Sequence, residues 1–184
     1  MNYKELQHGD VLLYEHRNKQ SLVTRIIHLI TGSKFVHVSV VVRVADELYV
    51  LEQHSERLHS RLDFYYPFVG EVIYCVRPKF QVPSTVNVFD FYREDYGYTS
   101  ILDSLINHLF GRLSFGKWKT KPILVKLFKS RNIICSTLTA RVLQLSTNCS
   151  WCKYTSTLEP DDFATHPETF EHLGVVDWVL KDDN

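Results

Sequence analysis

Cys135 is the residue in this chain best suited to nucleophilic chemistry. Apolar residues at positions 134, 138, 142 and 145 repeat at helical spacing, which predicts a helix that begins at this cysteine and packs on the core. A thiol at a helix start lies near unpaired backbone N–H groups and the positive end of the helix dipole. Both favour the thiolate, which is the reactive form of cysteine.

A base for this thiol is available on a strand far upstream. The run 35–42 contains one histidine, His37, among valines, and its composition predicts a buried strand. A cysteine at a helix start and a histidine on a strand commonly supply a nucleophile and its base. The pair therefore predicts cysteine-dependent acyl chemistry.

A hairpin after His37 would bring a carboxylate to the same place. A two-residue turn at 45–46 places His37 opposite His54. The same register places Ser39 opposite Glu52, and side-chain alternation puts all four residues on one face. Glu52 is then a diagonal neighbour of His37, or directly opposite it in a tighter register. In either case it can accept from one imidazole nitrogen and leave the other for the thiol.

Each of these residues has an ordinary structural explanation when taken alone. His37 could be a hydrogen-bonded histidine on a half-buried strand, and Cys135 could be a small buried hydrophobe. Glu52 ends an apolar strand, where a carboxylate needs a partner or water. The three together are more specific than any one of them.

The order of predicted elements indicates an α+β fold with a largely antiparallel sheet. The chain has 184 residues, of which 45% are hydrophobic and 23% charged, a composition typical of one globular domain over residues 1–184. Strands come first, then helices, then a closing strand. Strands are predicted at 11–14, 36–44, 48–52 and 72–76, and residues 175–180 are predicted to form a closing strand or an extended tail. Helices are predicted to begin at 21, 100 and 122.

The cysteines do not predict a disulfide framework or a metal site. There are four, and Cys149 and Cys152 form a single CxxC pair without a second pair at a known ligand spacing. We therefore expect reduced thiols and neither a metal nor another cofactor.

The charge distribution is uneven although the net charge is zero. Residues 104–158 contain no Asp or Glu, so this stretch either attracts an anionic substrate or forms a solvated basic face. It lacks glycine-rich or aromatic-ladder motifs, and no nucleic-acid partner is expected. Residues 110–119 mix aromatic and cationic side chains, as elements in peripheral contact with a membrane do.

The N-terminal residues lack the apolar stretch of a signal peptide, and no window is apolar enough to span a bilayer. A cytoplasmic protein is expected, with export by another route left open.

The order His37, Glu52, Cys135 resembles that of the circularly permuted papain-like cysteine hydrolases, which are NlpC-type enzymes with a YiiX-like branch. The segment Gly9 to Tyr14 ahead of the histidine and residues 134–136 at the helix start carry the same likeness, which extends from about Gly9 to about Phe163. The resemblance implies an antiparallel sheet or half-barrel packed against helices, one of which bears the nucleophile.

The resemblance also implies roles for individual residues. Cys135 matches the nucleophile, His37 the general base and Glu52 the carboxylate that orients the base. Asp10 matches a structural position in the turn before the first strand. Residues 32–36 and Thr137 depart from the family pattern, and these departures bear on the substrate rather than on the three residues.

The implied activity is thiol hydrolysis of an amide bond through an acyl-enzyme, acting on a peptidoglycan-type peptide or amide. A lipid or acyl-amide hydrolase or acyltransferase of the same fold is the alternative within the family. A papain-like module that binds without catalysis is the alternative outside enzyme chemistry. The expected partner is an amide- or ester-containing molecule, and the sequence leaves the oligomeric state open.

Overall fold

A computed structural model describes residues 1–16, 32–52, 59–61, 71–84, 135–152 and 158–178. A short 3₁₀ turn at Tyr3–Glu5 precedes the first strand. The strands are β1 (Val11–His16), β2 (His37–Val44), β3 (Glu47–Leu51), β4 (His59–Arg61), β5 (Glu71–Pro78) and β6 (Phe170–Val175). The helices are α1 (Cys135–Val142), α2 (Leu145–Asn148) and α3 (Asp162–Thr165).

The described strands form one antiparallel sheet. Their order across the sheet is β4-β3-β2-β1-β5-β6, so β1 and β2 lie at its centre. This confirms the predicted α+β class with an antiparallel sheet. The strands predicted at 11–14, 36–44, 48–52 and 72–76 correspond to β1, β2, β3 and β5.

The hairpin between β2 and β3 has the predicted register. Val44 pairs with Glu47 and Val40 pairs with Leu51 across a two-residue turn at 45–46. Ala45 adopts a positive φ of 54°, the left-handed conformation that two-residue hairpin turns require. The turn therefore determines which residues of β2 and β3 face one another.

Helix α1 packs on one face of the sheet. Its Leu138 and Ala140 belong to the same buried cluster as Val38, Val40 and Val42 of β2. The opposite face buries a second cluster, which includes Leu12, Tyr14, Val41, Val50 and Ile73. The valine-rich strand β2 is thus buried on both faces, and the start of α1 lies against it.

Residues 176–178, within the segment predicted as a closing strand or an extended tail, lie outside the strands of the sheet. The strand that pairs with β5 is β6, where Phe170 is opposite Pro78 and Val175 is opposite Tyr74. Phe170 anchors the beginning of β6 because it is buried beside Phe163. Trp178, within this segment, stacks on Tyr3 with ring centroids 5.3 Å apart, as part of an extended tail.

Strand β4 was not predicted, because its three residues, His59–Arg61, carry no apolar alternation. The helices predicted to begin at 21, 100 and 122 lie outside the described residues. Among the residues described, none of the helices is long and apolar enough to cross a membrane.

Two glycines with positive φ provide a matched test of backbone strain. Gly9 has φ +93° before β1, and a Cβ there would lie 2.7 Å from Val82 Cγ2. Gly174 has φ +89° in β6, with no heavy atom within 4 Å of the Cβ position. We expect Gly174→Ala to lower the free energy of unfolding by about 1–2 kcal/mol through strain alone. Gly9→Ala should cost about 2–4 kcal/mol because overlap with Val82 adds to the strain.

Urea denaturation of the two variants measures this difference. Equal losses of unfolding free energy would show that the contact with Val82 relaxes without cost.

Candidate functional site

Cys135 is the first residue of α1, as the helical spacing predicts. It is partly exposed at the edge of the core. The backbone N–H groups of Val38 and Ser136 donate hydrogen bonds to its sulfur. The Ser136 hydroxyl donates to the carbonyl of Leu158 at 2.5 Å, which fixes the beginning of the helix. The thiol is therefore held in place by β2, by α1 and by the segment that includes Leu158.

His37 lies between Cys135 and Glu52. It is the first residue of β2, and its side chain is 14% exposed. Its imidazole is hydrogen-bonded with the Cys135 thiol, and its Nε2 lies 3.4 Å from Oε2 of Glu52. Since Nε2 is turned toward the carboxylate, Nδ1 is the ring nitrogen that remains for the thiol. The structure thus brings together all three residues that the sequence singles out.

Glu52 follows directly after β3, and its side chain is only 8% exposed. Continuing the β2–β3 register by one residue places Glu52 opposite Ser39 and diagonal to His37, which is the predicted relation. His54, predicted to face His37, lies outside the described residues. The hairpin turn therefore places the Glu52 carboxylate beside the imidazole of His37.

The charges in this group stabilise one another. Burial favours the neutral imidazole, but the adjacent Cys135 thiolate and the Glu52 carboxylate outweigh it and raise the pKa of His37. Burial also favours the neutral thiol. The His37 charge and hydrogen bond, together with the Val38 and Ser136 N–H groups, outweigh it and lower the pKa of Cys135. Each charged group thus favours the charged form of the other, which is the direction that a thiolate–imidazolium pair requires.

The environments of the other three thiols raise their pKa values instead of lowering them. Cys75, Cys149 and Cys152 are free and buried. Burial raises the pKa of Cys75 and of Cys149, and it raises that of Cys152 to about 11. Among the four cysteines, only Cys135 combines partial exposure with a lowered pKa.

The described residues contain no group of three or more His, Cys, Asp or Glu side chains that could hold a metal ion. Most of the basic stretch 104–158, including the mixed aromatic and cationic segment 110–119, lies outside the described residues. Within the described residues, the candidate site consists of a thiol, an imidazole and a carboxylate.

No protein-family model matches this chain, and no curated protein matches its sequence. The resemblance to permuted papain-like hydrolases therefore stays a prediction. The structure brings together three side chains from three separate elements, α1, β2 and the end of β3.

Sequence reasoning missed one neighbour of the site. Tyr14 of β1 is the cross-strand partner of His37, and their ring centroids are 5.1 Å apart. No local signal predicts this contact, because it depends on how β1 pairs with a strand more than twenty residues away. Asp10, assigned a structural role, is fully buried and paired with Arg77.

Proposed function

We propose that this protein is a permuted papain-like thiol hydrolase that cleaves an amide bond through an acyl-enzyme. The observation that carries the proposal is a single imidazole held between a thiol and a buried carboxylate. Nucleophile, base and orienting acid in hydrogen-bonding sequence are the recurring arrangement of covalent acyl transfer. A pure binding module has no chemical need for this arrangement.

In the acylation step, the Cys135 thiolate attacks the substrate carbonyl carbon and forms a tetrahedral intermediate. Backbone N–H groups at the start of α1 are the donors available to its oxyanion. The His37 imidazolium then gives its proton to the leaving amine as the C–N bond breaks. The products of this step are a thioester on Cys135, a neutral imidazole and a free amine.

In the deacylation step, the neutral imidazole of His37 takes a proton from water, whose oxygen attacks the thioester. Collapse of the second tetrahedral intermediate releases a carboxylic acid and restores the thiolate and imidazolium. Glu52 keeps the ring oriented throughout and stabilises its charged form. One imidazole thus acts as the general acid in acylation and as the general base in deacylation.

The family resemblance supports a peptide or amide substrate of peptidoglycan type. A lipid or acyl-amide substrate is the alternative, because the same thioester forms from any acyl donor. Hydrolysis of a panel containing peptidoglycan-derived peptides and N-acyl amides distinguishes the two classes.

Selective alkylation of Cys135 tests the activated thiol directly. Because the pKa of Cys135 is lowered and those of Cys149 and Cys152 are raised, iodoacetamide should label Cys135 first at neutral pH. Its labelling rate should rise through a midpoint below the ordinary thiol pKa of 9.0. Mass spectrometry of peptides from the folded protein measures all the cysteines in one sample.

His37→Ala supplies the matched comparison. Without the imidazolium, the thiol loses its principal stabilising charge, and the midpoint of Cys135 labelling should move to higher pH. Labelling of Cys149 and Cys152 should not change. If Cys135 labels no faster than those two thiols and is indifferent to His37→Ala, the hydrolase proposal fails and a binding module is the better description.

A further inference from the structure

Tyr14 packs beside the imidazole of the proposed site. It is directly opposite His37 in the β1–β2 pairing, so the two side chains emerge on the same face of the sheet. Their ring centroids are 5.1 Å apart and the ring planes are inclined at 51°. This separation is within the range of favourable aromatic pairs.

The tyrosine ring is anchored at both ends. At one end its backbone belongs to β1, which is paired on both sides, by β2 and by β5. At the other end its hydroxyl lies 2.7 Å from Oγ of Ser39, and both residues are buried. Ser39 lies two residues along β2 from His37, so the anchor and the imidazole belong to the same strand. Tyr14 therefore offers a fixed surface to a ring that must keep one orientation.

We propose that Tyr14, held by Ser39, is the positioning residue for the His37 imidazole. The inference rests on the proposed function, since it concerns the base of that reaction. Cys135 from α1, Glu52 after β3 and Tyr14 from β1 are among the groups that face the imidazole. Thiol and carboxylate occupy the two nitrogens, and the tyrosine ring restricts the remaining rotation.

The tyrosine ring also acts on the charge of the imidazole. An aromatic ring attracts a cation that lies over its face within about 6 Å of its centroid, and the attraction grows when water is excluded. Both rings here are largely buried. Tyr14 thus favours the imidazolium, which is the partner that the Cys135 thiolate requires. A ring of the same shape without the hydroxyl retains most of this effect.

The test compares Tyr14→Leu with Tyr14→Phe. Iodoacetamide labelling of Cys135 is followed across pH in the folded wild type and in both variants. Tyr14→Leu should move the midpoint of Cys135 labelling to higher pH by about one pH unit, which is a tenfold change in the acid dissociation constant of the thiol, because the imidazolium loses an aromatic neighbour. Tyr14→Phe keeps the ring but loses the hydroxyl that Ser39 holds, so its midpoint should lie between those of the wild type and Tyr14→Leu. A Tyr14→Leu midpoint equal to that of the wild type would overturn the inference.

Leu12→Ala is the matched control for loss of packing. Leu12 is buried on the same face of β1 and is opposite Ser39. The Leu12→Ala substitution should lower the free energy of unfolding in urea without moving the pH midpoint of Cys135 labelling. An equal movement in Leu12→Ala and Tyr14→Leu would reduce Tyr14 to ordinary core packing and overturn the inference. If Tyr14→Leu does not fold, Tyr14→Met replaces it under the same expectations.

The outcomes separate this inference from the proposed function. If wild-type Cys135 is not activated, or if His37→Ala leaves its labelling unchanged, the proposed function fails and the inference fails with it. If His37→Ala moves the Cys135 midpoint to higher pH but Tyr14→Leu does not, only the role of Tyr14 fails.

Discussion

We expect Cys135→Ala to abolish acyl-group hydrolysis, with a loss on the order of 10⁴-fold or more in turnover. The alanine side chain cannot form the thioester, so neither half-reaction proceeds. Hydrolysis of p-nitrophenyl acetate, followed by release of p-nitrophenol, measures the loss without knowledge of the natural substrate. The fold should survive, because Cys135 is only partly buried and the change removes one sulfur atom.

Trapping the intermediate makes this expectation specific. Mass spectrometry of the acid-quenched reaction should find one acetyl group on Cys135 in the wild type and none in Cys135→Ala. Cys149→Ala is the matched control, since it removes a buried thiol whose pKa is raised. It should keep full activity. Turnover retained in Cys135→Ala, or lost equally in Cys149→Ala, would contradict the nucleophilic role of Cys135.

Glu52→Gln should have a smaller effect than Cys135→Ala. The amide still occupies the space beside Nε2 of His37, but it no longer stabilises the imidazolium by charge. We expect kcat to fall while KM changes little, since Glu52 acts through His37 rather than on the substrate.

The parts of the site that sequence predicts are those set by local rules. The β2–β3 hairpin is one such part, because a two-residue turn at 45–46 leaves a single register and places Glu52 diagonal to His37. The start of α1 at Cys135 is another, because apolar residues at helical spacing begin there. Both features need only a few consecutive residues.

The parts that sequence does not predict depend on contacts between distant segments. Tyr14 meets His37 only because β1 pairs with β2 in one particular register. The approach of α1 to β2 likewise spans almost a hundred residues, and only the family resemblance indicated it. For residues 175–180 the sequence left a strand and an extended tail open, because apolar content alone does not distinguish a paired strand from a tail that packs through Val176 and Trp178.

We expect Arg77→Met to lower the free energy of unfolding by about 3–5 kcal/mol, a large share of the stability of an ordinary domain. Asp10 is fully buried in the turn before β1. Nε of Arg77 donates to its Oδ1 at 2.7 Å, and Nη2 donates to its Oδ2 at 2.8 Å. Without the guanidinium, the carboxylate would keep the Gln7 backbone N–H donor at 2.8 Å but lose its countercharge. Urea denaturation measures the cost.

Lys34→Met is the control for an exposed ion pair. Lys34 Nζ lies 3.3 Å from Glu15, but its side chain is 51% exposed, so Lys34→Met should lower the free energy of unfolding by no more than about 1 kcal/mol.

The double variant Asp10→Asn with Arg77→Met should lose less unfolding free energy than the two single variants added together, because neither partner is then left buried alone. Folded Arg77→Met should still label at Cys135 at the wild-type rate, since the Asp10–Arg77 pair supports the sheet and takes no part in the chemistry. Slower labelling of Cys135 in folded Arg77→Met would show that the Asp10–Arg77 pair contributes to the candidate site. A cost no larger than that of Lys34→Met would mean that water replaces the guanidinium.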